Sequence, residues 1–147
     1  MSLFIGVVMD PISTINPVKD TTLGLLLAAQ ARGHRLAYME QSSLYLSHGD
    51  ARASVTDLVV KSDTTDWFEF GEQSDLSLSE FDAILMRKDP PFDMEFVYTT
   101  QLLEVAERQG TLIVNRCSSL RDCNEKLFAT QFPQCCPPLV VTELRLQ

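Results

Sequence analysis

The stretch Phe81–Asp93, FDAILMRKDPPFD, joins an apolar segment to a polar turn. Its first half is typical of a buried strand. Arg87, Lys88 and Asp89 follow directly, and two consecutive prolines then fix two φ angles and favour an extended backbone at Asp89. The stretch therefore predicts a core strand that ends in a charged turn of restricted geometry.

Strands and helices of ordinary length alternate on both sides of this turn. This alternation predicts an α/β fold, a Rossmann-like domain whose mostly parallel sheet is flanked by helices. The predicted elements are a strand over Leu3–Met9, a helix over 21–32 capped by Asp20 and ended by Gly33, a strand over 34–40, the strand over 81–86, a helix over 94–109 capped by Asp93 and closed by Gly110, a strand over 111–115, and short helical segments after a cap at Ser118 or Ser119.

The middle and the end of the chain follow a different pattern. Residues 51–60 and 66–70 are rich in β-forming side chains and are joined by the polar KSDTT, which predicts a β-hairpin excursion. Residues 72–81 are interpreted as a polar connection. After the prolines at 133, 137 and 138, residues 139–147 are predicted to form a strand with a few residues after it.

Composition narrows the class of protein. The 147 residues are predicted to form one domain. A net charge of −8 argues against nucleic acid and anionic membranes as partners. No apolar run is long enough to cross a membrane, and the amino terminus does not resemble a signal peptide, so a cytoplasmic location is expected. The four cysteines match no zinc pattern, and no metal site is predicted among these residues.

Polar clusters follow three of the predicted strands, where open α/β sheets bind ligands. Arg87 carries a planar fork suited to a carboxylate or phosphate, although a structural ion pair within a rigid turn explains the same residues equally well. Ser13 and Asn16 either recognise a polar small molecule or form a turn. The loop that holds them has no glycine, so the GxGxxG dinucleotide pattern is absent.

Lys126 lies in the first turn of a predicted helix, where the helix dipole disfavours a cation. Two explanations remain open. The lysine either contacts a phosphate or is a solvated side chain paired with Glu125 or Asp122.

Several strings resemble, in order, the amino-terminal part of bacterial glutathione synthetase, a family of ATP-grasp ligases. They are GVVMDPISTIN, KDTTLGLLLAAQARGH, YMEQSSLYL, LMRKDPPFDMEF, LIVN and SLRDCNEKLFATQFP. The resemblance implies a pre-ATP-grasp substrate domain over residues 1–142. Residues 143–147 would begin a linker into an ATP-grasp domain that this chain does not contain.

The resemblance also implies a reaction. The whole enzyme would join γ-glutamylcysteine to glycine with ATP and Mg²⁺, through an acyl phosphate, giving glutathione, ADP and phosphate. Arg87 would pair with a substrate carboxylate, Asn16 and Ser13 would flank that pocket, and Lys126 would reach ATP. Catalytic residues and magnesium ligands would lie in the absent domain, so this chain alone is expected to be inactive. Assembly into a dimer or tetramer is also implied.

Two other classes of protein remain open on the sequence alone. One is a non-catalytic α/β domain that binds a small molecule or regulates another protein. The other is an interaction domain whose sheet edge serves oligomerisation.

Overall fold

The structure, a computed structural model, describes residues 1–89, 91–123 and 125–142, the last range without the side chains of Glu125 and Lys126. Its strands are β1 (Phe4–Val8), β2 (Arg35–Met39), β3 (Leu44–Ser47), β4 (Asp50–Val60), β5 (Phe68–Ser77), β6 (Ala83–Met86) and β7 (Leu112–Val114). Its α-helices are α1 (Thr21–Ala31), α2 (Met94–Gln109), α3 (Cys117–Asp122) and α4 (Glu125–Ala129). Short 3₁₀ turns cover Ile12–Thr14, Gln41–Ser43, Leu78–Glu80 and Pro133–Cys135.

The described strands form one sheet with a parallel half and an antiparallel half. The parallel half has the order β2-β1-β6-β7, and β4 then pairs antiparallel with β2, β3 and β5. The chain leaves β1 through α1 toward one side of the sheet and returns to the other side of β1 as β6. Strand order therefore reverses between β1 and β6, which is where ligands bind in open α/β sheets. The predicted α/β Rossmann-like fold is confirmed.

The first strand contributes side chains to both hydrophobic layers of the domain. Ile5 and Val7 point to the layer that holds Leu23 and Leu26 of α1, while Val8 points to the layer that holds Leu103 of α2. Alternation along a strand sends successive side chains to opposite faces. The continuous apolar run of the amino terminus is therefore explained by helices on both faces of β1.

Gly6 allows a close approach on the α2 face. A Cβ at this position would lie 2.7 Å from Cε of Met39 and 3.2 Å from the ring of Phe81. The Phe81 ring also stacks on Phe4, with centroids 4.3 Å apart. A side chain at residue 6 would force these neighbours out of a packed layer.

Both long helices begin where the sequence predicts, and α2 also ends there, whereas α1 ends at Ala31, one residue earlier than predicted. The carboxylate of Asp20 accepts a hydrogen bond from Leu23 N at 2.8 Å, and that of Asp93 accepts one from Phe96 N at 2.9 Å. Gly110 closes α2 with a φ of 110°, a left-handed conformation that glycine adopts without strain.

The hairpin excursion is confirmed but is longer than predicted. Residues 72–77, predicted to be a polar connection, belong to β5 and pair with β4. Their polar side chains are held by cross-strand contacts, since Arg52 Nε donates to Asp75 Oδ1 at 2.8 Å and Gln73 Nε2 donates to Ser54 Oγ at 2.9 Å. Because β5 has only β4 as a partner in the described sheet, one of its edges tolerates such polar residues.

One strand was missed, and two further predictions are corrected. Strand β3 was not predicted, because QSSLYLS lacks a clear alternation. Helix α3 begins at Cys117, with Arg116 in the capping position, so a cap at Ser118 or Ser119 is wrong; burial of the Cys117 side chain draws that residue into the helix. Residues 139–142 form no strand, and the rest of that predicted strand, like the predicted linker over 143–147, lies outside the described residues.

Candidate functional site

Arg87 connects the end of β6 to the start of α1. Its backbone N–H donates to Val8 O at 2.7 Å, which extends the pairing between β6 and β1 by one residue. In its guanidinium, Nε donates to Thr22 Oγ1 and Nη2 donates to Thr21 Oγ1, both at 3.0 Å. Two threonine hydroxyls at the amino end of α1 therefore hold the arginine fork at the carboxyl edge of the sheet.

A small cavity of about 170 Å³ lies beside this fork. Arg87 and Lys19 bring positive charge to its lining, and Thr21 and Thr22 bring the first turn of α1. The carboxylate of Asp20, which also lines it, is engaged in capping α1. An arginine fork beside a helix amino terminus is suited to the carboxylate of a small ligand.

Asp10 and Lys88 form a clamp between the ends of β1 and β6. Lys88 Nζ lies 2.9 Å from Asp10 Oδ1, and the backbone N–H of Asp89 donates to Asp10 Oδ2 at 3.1 Å. Lys88 Nζ also donates to the Asp89 carbonyl at 2.7 Å. The Lys88 side chain is only 19% exposed, so this pair is partly shielded from water. The clamp fixes the backbone that follows Arg87.

A larger cavity of about 510 Å³ adjoins the small one, because Met9 and Asp10 line both. Its volume is within the range of small-molecule sites. Glu40, Asp93 and Glu95 make much of its polar lining acidic. A ligand spanning both cavities would meet Arg87 and Lys19 in the small one, where Asp10, Asp20 and Asp89 also line the wall. In the larger one it would meet mainly carboxylates, with Lys88 among them.

Two polar residues of the larger cavity's lining, Gln41 and Glu40, have unusual environments. Nε2 of Gln41 is buried and has no hydrogen-bond partner among the described residues. The hydroxyl of Tyr38 donates to Glu40 Oε1 at 2.6 Å. Burial raises the pKa of Tyr38 far above its ordinary value, and the hydrogen bond to Glu40 raises it further. Tyr38 is therefore a neutral donor that orients Glu40.

The structure brings only part of the predicted site together. Arg87 lies at the cleft, as its position after the strand predicts. Asn16 Oδ1 accepts from Val18 N at 3.1 Å, and its carbonyl accepts from Lys19 N and Asp20 N, so it shapes the turn that leads into α1. Ser13 is exposed within the 3₁₀ turn.

Other residues of the loop that holds Ser13 and Asn16 line the cavities instead, namely Asp10, Pro11, Ile15 and Lys19. Lys126 falls within α4, but its side chain lies outside the described residues. The assignments of Ser13, Asn16 and Lys126 to ligands therefore stay predictions.

Sequence reasoning missed Thr21 and Thr22 as partners of Arg87, and Asp10 as the partner of Lys88. The signal available for the threonines was a pair of hydroxyl residues directly after a helix cap, in the first helix to follow β1. Thr22 and Thr21 lie 65 and 66 residues before Arg87 in the sequence, so only the fold reveals these contacts.

The described part of the chain holds neither a candidate metal cluster nor a candidate membrane span. No group of three or more histidine, cysteine, aspartate or glutamate side chains there could hold a metal ion. Within the same residues, no helix is long and apolar enough to span a lipid bilayer.

Fold and cleft together define a class of protein: a Rossmann-like α/β domain with a polar cleft at the switch point of its parallel strands. Comparison with known proteins identifies the family. A family model described as prokaryotic glutathione synthetase, N-terminal domain, matches residues 3–121. The chain belongs to this family.

Full-length relatives agree with this assignment. The chain is 61% identical over 142 residues to a glutathione synthetase of Pseudomonas putida, covering 97% of this chain and 45% of the relative. It is 61% identical over 142 residues to that of Pseudomonas aeruginosa, with the same two coverages of 97% and 45%. It is 53% identical over 143 residues to that of Escherichia coli K12, covering 97% of this chain and 45% of the relative. The chain thus spans less than half the length of these relatives.

Proposed function

We propose that this domain is the substrate-binding amino-terminal lobe of an ATP-dependent ligase that joins γ-glutamylcysteine to glycine. The observation that carries the proposal is Arg87, held by Thr21 and Thr22 at the switch-point cleft. Family membership supports the reaction, because the relatives are named glutathione synthetase.

In this proposal Arg87 pairs with a carboxylate of γ-glutamylcysteine. Its fork offers five N–H donors, of which the two threonine hydroxyls take two among the described contacts. The threonines limit the rotamers of the side chain, so less entropy is lost when a ligand binds. The Asp10–Lys88 clamp keeps the backbone after Arg87 in place for the same purpose.

The acidic rim of the larger cavity complements this arrangement. Glu40, Asp93 and Glu95 are suited to the ammonium group of an amino acid or dipeptide. A zwitterionic dipeptide would then lie with its carboxylate near Arg87 and its ammonium group toward these carboxylates. The site thus favours an amino-acid-like ligand.

The chemical step belongs to the completed enzyme. ATP would transfer its γ-phosphoryl group to the substrate carboxylate. The amine of glycine would then attack the acyl phosphate, forming the C–N bond, releasing phosphate from carbon and losing a proton. The described residues lack a three-ligand metal cluster. The proposal therefore assigns Mg²⁺ to no residue described here, and the domain's role is to bind and orient substrate.

The test is a fusion enzyme, made by joining residues 1–142 to the part of the Pseudomonas putida relative that follows its matched segment. We expect the fusion to release phosphate from ATP only when both γ-glutamylcysteine and glycine are present, and to form glutathione. The 147-residue chain alone should not turn over. The native relative serves as the positive control.

Two results would contradict the proposal. One is a fusion that unfolds cooperatively but forms no glutathione while the relative is active; this would favour a non-catalytic binding or oligomerisation domain. The other is turnover by the chain alone, which would place the catalytic groups within it. Cytoplasmic location and assembly into a homo-oligomer stay predictions of the family resemblance.

A further inference from the structure

The hairpin of β4 and β5 has no role in the site described above. Neither of its strands contributes a residue to the described linings of the two cavities. Its turn nevertheless reaches the loop between β1 and α1. Trp67, the last residue before β5, donates its indole Nε1–H to the carbonyl of Ile12 at 3.0 Å, across 55 residues of sequence.

Ile12 is the anchor of that loop. It is 1% exposed and packs in the same layer as Tyr38 and Leu58. Its neighbours Pro11 and Ile15 line the larger and the smaller cavity respectively. The position of the Ile12 carbonyl therefore sets the position of a loop that contributes to both cavities.

The turn that presents the indole is itself well ordered by hydrogen bonds. Lys61 N donates to the Trp67 carbonyl at 2.8 Å, which closes the end of the hairpin. Within the turn, Asp63 Oδ1 accepts from Thr65 N at 2.6 Å and from Asp66 N at 3.0 Å. These hydrogen bonds, with that from the Thr65 hydroxyl, lower the pKa of Asp63 to about 2, so the carboxylate stays charged at neutral pH.

We propose that Trp67 is a positioning residue for the substrate: its indole N–H holds the loop over residues 11–19 in the geometry that the cleft beside Arg87 requires. The proposal rests on the proposed function and gives the hairpin a role in it. Trp67 is absent from the described linings of both cavities and acts through Ile12.

The test uses Trp67→Phe in the fusion enzyme. We expect KM for γ-glutamylcysteine to rise about 3- to 10-fold, the effect of one neutral hydrogen bond, with kcat and KM for ATP little changed. Replacing Trp67 by benzothienylalanine, which keeps the bicyclic shape but has no N–H, should reproduce the rise. The analogue separates the lost donor from lost packing.

Tyr45→Phe is the matched control. The Tyr45 hydroxyl donates to Asp75 Oδ2 near the end of the hairpin opposite its turn. This variant therefore also removes one hydrogen bond that an aromatic side chain donates. It should leave KM for γ-glutamylcysteine unchanged. If Trp67→Phe lowers stability as Tyr45→Phe does but leaves KM unchanged, Trp67 is only structural and the proposal is overturned.

A second measurement separates this inference from the proposed function. Hydrogen–deuterium exchange of the peptide covering residues 11–19 is measured in the 147-residue chain. Trp67→Phe should speed exchange there about 2- to 10-fold, whereas Tyr45→Phe should not. Unchanged exchange overturns the positioning role even if the fusion is active. If exchange is faster but the fusion is inactive, the positioning role of Trp67 is supported and only the proposed ligase function is contradicted.

Discussion

Removing the Asp10 carboxylate should destabilise the domain by about 2 kcal/mol. In the variant Asp10→Ala, the backbone N–H of Asp89 loses its partner, and the ammonium group of Lys88 loses its carboxylate partner and keeps the Asp89 carbonyl. The Lys88 side chain is 19% exposed, so water replaces the lost ion pair only in part. The expected cost therefore lies above that of an exposed ion pair and below that of a fully buried one.

Urea denaturation followed by circular dichroism measures this cost directly. Thermal unfolding should show a decrease in Tm of about 4–8 °C for a domain of this size. Asp66→Ala is the matched control, because Asp66 pairs with Lys61 at 2.9 Å but both side chains are more exposed, at 69% and 38%. That variant should lose about 1 kcal/mol or less.

A double-mutant cycle isolates the contact between Asp10 and Lys88. We expect the two alanine substitutions to show a coupling energy of about 1–2 kcal/mol. Strictly additive effects, or a loss in Asp10→Ala no larger than in Asp66→Ala, would refute the reasoning that the clamp stabilises the turn after Arg87.

Three further predictions concern the core and the α2 face. Gly6→Ala should destabilise the domain by about 1 kcal/mol in urea denaturation, because its Cβ would lie 3.2 Å from the Phe81 ring and would displace the flexible end of the buried Met39; a neutral effect would contradict the packing described. The hydrogen bond from Arg121 lowers the pKa of Glu104, so this stabilisation is present above the ordinary carboxyl pKa and is lost as pH falls through the lowered value. Glu104→Gln should therefore lose less stability than wild type on acidification, and parallel pH profiles would contradict this. Burial raises the pKa of the Cys117 thiol to about 12, so a thiol reagent should modify the exposed cysteines at once and Cys117 only on unfolding; equal rates would show that this thiol is accessible.

The parts of the fold that the sequence predicted are those determined by local chemistry. The helix beginning at Met94 follows from a capping aspartate and ends at a glycine, and both signals lie within the segment itself. The strand Phe4–Val8 follows from an apolar run that needs cover on both faces. Such signals depend on a few neighbouring residues.

The parts that the sequence did not predict depend on partners far along the chain. Residues 72–77 are polar, and they form a strand because β4 supplies both the backbone pairing and the partners of Asp75 and Gln73. The two threonines that hold Arg87 are likewise distant in sequence. Arg87 was predicted to lie at a ligand cleft because the charged turn directly follows a core strand.

The β-hairpin illustrates both cases. Its two strands and turn were predicted from composition, but the contact between Trp67 and Ile12 was not, since no local pattern links a hairpin turn to the first loop. The chain contains a single tryptophan, so its fluorescence would also report changes in that loop.

The most direct test of the account compares Arg87→Ala with Arg108→Ala in the fusion enzyme. Arg108 is a suitable control because its side chain is 71% exposed and pairs with Glu104 on α2, away from the cleft lining. Loss of a charge-assisted contact to a carboxylate should raise KM for γ-glutamylcysteine about 10- to 100-fold in Arg87→Ala, with KM for ATP unchanged. An Arg87→Ala enzyme whose KM stays within about twofold of the Arg108→Ala value would contradict the assignment of this cleft to the substrate.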